Sequence, residues 1–143
     1  MKNFTCAIPT VVHFGQGQIQ KLGGEIAARS RKVLVVYGGG SVKRNGVFDA
    51  AAAQLNEHGI QWAELPGVEP NPRVATVREG VRLCREQGLD GVLALGGGSV
   101  IDCAKGVAAG ALYDGDPWDF SGRKLTPERA LPIFTVLTMA ATG

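Results

Sequence analysis

The run Leu93-Ala94-Leu95-Gly96-Gly97-Gly98-Ser99-Val100-Ile101-Asp102 carries an apolar segment through three glycines into a helix that begins on a serine. These are the residue types of an anion cradle. Glycine has no Cβ, so the backbone can take positive φ and approach a ligand closely, and the first-turn amides of the following helix lack intrahelical partners. Those amides lie at the positive end of the helix dipole, where a phosphate or pyrophosphate is held. The same residues also read as a plain capped turn, because Ser99 and Asp102 have N-cap to N3 spacing. The two readings are compatible, since Ser99 can cap while the amides bind. For Asp102, spacing favours capping its own helix over touching a ligand in a cleft.

A second glycine cluster, Tyr37-Gly38-Gly39-Gly40-Ser41-Val42-Lys43-Arg44, follows another apolar run. Dinucleotide sites commonly place an acid after such a strand to hold the adenosine ribose hydroxyls. Here there is none. Backbone amides, the Ser41 hydroxyl and Lys43 or Arg44 instead suit a 2′-phosphate, which a carboxylate would repel. The pattern therefore favours NADP(H) over NAD(H); the competing reading is a flexible turn with two solvated cations.

Three further segments hold candidates of weaker pattern. In Val68-Glu69-Pro70-Asn71-Pro72 each residue before a proline is pushed away from helix, which predicts a rigid extended segment able to hold Asn71 over a ligand, or simply a turn. Thr138-Met139-Ala140-Ala141-Thr142-Gly143 follows a third apolar run with small and hydroxyl residues that suit cofactor contact. Ending on such a turn, without a closing helix, is the pattern of a fragment. His13 and His58 stand far apart with no histidine at i+4, so no metal site is expected in this chain. Neither a G-x-S-x-G nucleophile elbow nor a Walker phosphate loop is present.

The elements that position these residues follow from hydrophobic periodicity. Val33–Tyr37, Gly91–Leu95 and Ile133–Leu137 are short continuous apolar runs, the pattern of strands buried on both faces of a parallel sheet. Gln61–Leu65 alternates more weakly and is expected nearer an edge. Between them, Ile19/Leu22/Ile26, Val47/Phe48/Ala51/Ala52/Leu55, Val74/Val77/Val81/Cys84 and Val100/Ile101/Ala104/Val107/Ala108/Ala111 have helical spacing, with Gly59 and Gly88 as stops. Asp116-Pro117-Trp118-Asp119-Phe120 reads as a short helix or turn. Strand and helix alternate, which calls for an α/β fold: a Rossmann-like parallel sheet with helices on both faces, binding ligands at the strands' carboxyl ends. Both glycine clusters lie at such ends.

Size and composition agree. A chain of 143 residues supports one compact domain, so residues 1–143 are expected to form a single dinucleotide-binding domain. Apolar residues make up 45% and charged residues 20%, a globular balance, and the formal charge of +2 is scattered, which argues against nucleic acid. No apolar run approaches the roughly 18 residues that span a bilayer, and the N-terminus lacks a signal peptide's apolar core, so a cytoplasmic location without membrane association is expected. Cys6, Cys84 and Cys103 form no C-x-x-C pair; Cys84 and Cys103 fall on apolar helix faces as buried hydrophobes.

Six pieces, in order, resemble the amino-terminal half of the iron-containing (group III) alcohol dehydrogenases, on the side of the NADP(H)-dependent butanol dehydrogenases and aldehyde reductases. They are Val12–Gly17, Tyr37–Ser41, Glu69–Pro72, Gly96–Lys105, Asp116–Trp118 and Leu137–Gly143. The resemblance implies a two-domain enzyme, commonly dimeric, that passes a hydride between a nicotinamide cofactor and a small alcohol or aldehyde. A divalent iron or zinc ion is expected only in the helical carboxyl-terminal half, which this chain lacks, where it would polarise the substrate oxygen. By the same resemblance Gly38, Gly39, Gly40 and Ser41 meet the adenosine end of the cofactor, and Gly97, Gly98 and Ser99 hold the pyrophosphate. Asn71 and Asp102 lie toward the nicotinamide, and Thr138 and Thr142 line the middle. Met139-Ala140-Ala141 departs from the family pattern of threonine, alanine and glycine, which leaves position 139 without an implied role. The alternative is a stand-alone α/β module that holds a nucleotide or phosphometabolite without chemistry; the residues that follow Gly143 discriminate the two.

Overall fold

Continuous apolar runs become the two central strands. In the computed structural model, which describes residues 5, 7–123 and 125–140, β1 (Lys32–Tyr37) and β3 (Gly91–Gly96) are almost wholly buried, while β2 (Gln61–Leu65) and β4 (Ile133–Leu137) flank them. All pairings are parallel and the order is β2-β1-β3-β4, with Val35 opposite Glu64 and Leu93, and Ala94 opposite Thr135.

Helices cover both faces. A 3₁₀ turn (Gln18–Lys21) leads into α1 (Leu22–Ala27), which shares one face with α2 (Ser41–Arg44) and α3 (Val47–Glu57). The longer α4 (Val74–Gln87) and α5 (Gly98–Ala111) cover the other. Because side chains alternate across a strand, β1 divides its bulk between the layers: Val33, Val35 and Tyr37 meet α1 and α3, whereas Leu34 and Val36 meet α4 and α5. Gly88 ends α4 in the left-handed conformation at φ 63°, the expected glycine stop, and Gly59 at φ 64° lies just beyond α3.

Two expectations are corrected. Ile133–Leu137 is not buried on both faces; its exposure alternates, with Leu137 54% exposed, because β4 is an edge strand among the described residues. Pro70-Asn71-Pro72 is not uniformly extended either. Asn71 sits at φ 57° in the left-handed region, the only non-glycine to do so among the described residues. The proline after it disfavours the right-handed helical region, and asparagine tolerates the left-handed one best.

Pro117–Arg123 forms the short 3₁₀ helix anticipated from Asp-Pro, opened by Asp116 accepting the Trp118 amide at 2.8 Å. No helix among the described residues is long and apolar enough to cross a membrane.

Candidate functional site

The chain leaves β1 toward β2 and leaves β3 toward β4, so the connections from these two adjacent strands diverge. A crevice opens outside the carboxyl ends of parallel strands where the order reverses in this way, and that is where doubly wound sheets bind ligands. Both glycine clusters sit there: Gly38-Gly39-Gly40 follows β1, and Gly97-Gly98-Ser99 follows Gly96 at the end of β3.

The second cluster is an open cradle. Helix α5 begins at Gly98, with Gly97 as its N-cap at φ −90°, ψ −167°, and no side chain caps it. This corrects the capping expectation for both Ser99 and Asp102. Ser99 lies inside the first turn, and Asp102 is exposed and pairs with Lys105 at 3.5 Å. The first helical bonds run from the Val100 and Ile101 amides to the Gly97 carbonyl, both at 3.1 Å, and the Gly98 and Ser99 amides precede them. A Cβ at Gly98 would meet nothing within 4 Å, so an anion can reach those amides. Gly96 is glycine for a different reason: a Cβ there would stand 2.7 Å from Val100 Cγ2, blocking the turn from strand to helix.

Loops lock the two clusters together. The β2–α4 connection bonds to the end of β1, the Gly67 amide donating to the Gly38 carbonyl at 3.2 Å and the Val68 amide to the Tyr37 carbonyl at 3.1 Å. A Cβ at Gly38 would lie 3.3 Å from the Val68 carbonyl and 3.9 Å from Val100 Cγ2, so Gly38 is wedged between that connection and α5. Asn71 lies farther along the same connection, in a turn braced by an exposed Glu69–Arg73 ion pair at 2.9 Å. The Thr138 amide donates to the Gly96 carbonyl at 3.1 Å, and Met139 Cβ stands 3.9 Å from a Cβ built at Gly97. Thr138 and position 139 therefore border the cradle; Thr142 lies outside the described residues. Among the described residues, neither the Asn71 nor the Asp102 side chain hydrogen-bonds to either glycine cluster, the Asp102 carboxylate meeting Lys105 instead.

One group beside the first cluster escaped the sequence reading. Glu64, on the neighbouring strand, accepts a hydrogen bond from the Tyr37 hydroxyl and pairs with Lys43 Nζ at 2.9 Å. The Lys43 ammonium also stands 4.4 Å from the Phe48 ring centroid and 5.0 Å from that of Tyr37, a cation–π arrangement. The Tyr37 hydroxyl and the Lys43 ammonium hold the Glu64 carboxyl below its ordinary range, while burial and Glu64 push the Tyr37 hydroxyl up. Lys43 is thus already occupied. Arg44 is exposed, and its Nη1 lies 3.6 Å from a Cβ built at Gly40, where the backbone turns at φ 95°.

The remaining candidates have structural partners. His13 pairs with Glu25 at 3.0 Å, and His58 Nδ1 lies 3.0 Å from the Gln54 carbonyl oxygen. Among the described residues, no group of three or more His, Cys, Asp or Glu is placed to hold a metal ion. Cys84 and Cys103 are buried, which pushes their thiols up to about 12 and about 11. In a Cys6→Ser variant, both are expected to resist a disulfide reagent at about pH 8, where the reactive thiolate is scarce, and to react fully in guanidinium. Rapid labelling of the folded protein would contradict their burial.

Comparison with known proteins places these features in a wider setting. A family model described as iron-containing alcohol dehydrogenase matches residues 9–143. The probable NADH-dependent butanol dehydrogenase 1 of Bacillus subtilis (strain 168) is 55% identical over 143 residues, covering 100% of this chain and 37% of that protein. The NADPH-dependent aldehyde reductase YqhD of Escherichia coli (strain K12) is 43% identical over 148 residues, with 100% and 37% covered. The chain therefore spans 37% of the length of these curated relatives. The crystal structure of NADH-dependent butanol dehydrogenase A from Thermotoga maritima superposes with a TM-score of 0.95 at 52% identity, over 99% of this chain and 36% of that one.

Proposed function

Because the chain belongs to the iron-containing alcohol dehydrogenase family, we propose that it is the cofactor-holding half of an oxidoreductase that passes a hydride between NADP(H) and a small alcohol or aldehyde. The observation that carries this reading is the pair of glycine clusters at the switch point between β1 and β3, one of them an uncapped helix start open to an anion. Gly97, Gly98 and Ser99 hold the pyrophosphate by their amides, and Gly38 to Ser41 receive the adenosine ribose. Thr138 borders the stretch between, and Asn71 and Asp102 lie toward the nicotinamide. The cofactor supplies the hydride. The chain's own contribution is to fix the cofactor's long axis across the strand ends, while the metal and most of the substrate pocket belong to residues beyond this chain.

NADP(H) is favoured because the end of β1 carries no acid, Gly39 is open to solvent and Arg44 stands over the turn. A second reading, NAD(H), is supported by Glu64 on the adjacent strand and by relatives named as NADH-dependent, such as the Bacillus subtilis protein. Substitution at Gly39 separates them. A Cβ there meets nothing within 4 Å and the backbone needs no positive φ, whereas at Gly40 a side chain would be strained at φ 95°. Gly39→Asp is expected to weaken NADPH binding about tenfold or more by charge repulsion while leaving NADH within about twofold, read by fluorescence titration. Equal responses for both nucleotides would favour the NAD(H) reading.

A further inference from the structure

We propose that Arg44, and not Lys43, is the side chain that meets the 2′-phosphate of the cofactor; this rests on the NADP(H) reading above. Both cations follow the first glycine cluster, and the sequence does not choose between them. The structure separates their surroundings. Lys43 turns back toward β2, where its exposed ammonium is shared among the Glu64 carboxylate at 2.9 Å and the faces of Phe48 and Tyr37. Engaging a phosphate would mean giving up that carboxylate and leaving it beside the incoming dianion, so Lys43 brings no net positive charge to the ligand.

Arg44 is arranged the opposite way. It is exposed, takes part in no ion pair among the described residues, and carries its guanidinium to 3.6 Å from the point where a Gly40 side chain would begin. Its backbone is pinned, the Arg44 amide donating to the Gly40 carbonyl at 3.2 Å, so the stem starts from a fixed place beside the turn. A planar guanidinium presents two parallel N–H donors that match phosphate oxygens, and it is always charged. The cation available to the ligand thus sits directly over the glycine turn, and the neighbouring cation is neutralised by an acid from another strand.

The test is fluorescence titration of the full-length protein with NADPH and NADH in four forms: unaltered, Arg44→Ala, Arg44→Lys and Lys43→Met. Arg44→Ala is expected to weaken NADPH about tenfold or more, the scale of a charge-assisted bidentate contact, and to leave NADH within about twofold. Arg44→Lys should retain part of the NADPH preference, and Lys43→Met should leave the ratio of the two affinities unchanged. Preference for NADPH that survives in Arg44→Ala, or is lost in Lys43→Met, overturns the assignment while the cofactor reading stands. Equal affinities in the unaltered protein overturn both. Arg44 is exposed, so circular dichroism of its variants is expected to match the unaltered protein.

Discussion

Gly98→Asp is expected to weaken binding of NADPH and NADH alike by about tenfold or more, because it would set a carboxylate against the pyrophosphate position proposed above. The fold should not suffer. A Cβ at Gly98 meets nothing within 4 Å and the residue needs no positive φ. An aspartate in the first turn even complements the helix dipole, a gain of about 0.3–1 kcal/mol. Stability and binding therefore move in opposite directions at one residue, which a general packing defect does not do. The comparison variant is Gly98→Ala, whose methyl group enters the cradle without charge and should cost less affinity than aspartate. Calorimetric titration for affinity and thermal unfolding for stability read both effects. Cofactor affinity unchanged in Gly98→Asp would show that the uncapped turn does no more than start a helix.

The insensitivity of that prediction to packing explains why the cradle was legible in the sequence. An apolar run, three glycines and a helical repeat are local signals, and β1, β3, α4 and α5 all follow from such runs. What was not legible depends on partners distant in the chain. Glu64 reaches Tyr37 and Lys43 only because parallel pairing sets Val35 opposite Glu64, and the weak alternation of Gln61–Leu65 does not announce that register. The N-cap of α5 falls on Gly97 rather than Ser99, since the backbone geometry of the strand-to-helix turn starts the helix before the hydroxyl residue. Leu137 shows the same limit from the other side: its apolar neighbours read as central strand, yet exposure is decided by what lies beside β4.

The least legible feature is how α4 and α5 meet, and it yields the largest expected effect on stability. Glycines in helix interiors look unfavourable by propensity, roughly 1 kcal/mol worse than alanine. Yet here each faces a valine on the partner helix: Gly80 of α4 against Val107, Gly106 of α5 against Val77, and Gly110 of α5 against Val81. A Cβ at Gly80 would lie 2.5 Å from Val107 Cγ2 and 2.9 Å from Leu65 Cδ2, inside contact distance of two buried side chains. Val107 is fully buried and β-branched, so it has little rotamer freedom with which to retreat. The overpacking cost of roughly 1–3 kcal/mol or more thus exceeds the helix gain, and Gly80→Val is expected to lower the unfolding midpoint by several degrees. Gly24 of α1 is the opposite case. A Cβ there meets only His58 Nε2 at 3.9 Å, so Gly24→Ala should stabilise by about 0.5–1 kcal/mol. The valine–glycine interlock also sets where α5 lies against the sheet, and with it the position of the Gly98 and Ser99 amides. A Gly80→Val protein that remains folded should therefore lose cofactor affinity as well, whereas Gly24→Ala should not. Equal and favourable shifts from the two substitutions would mean that the helices are free to move apart and that glycine is not required at their crossing.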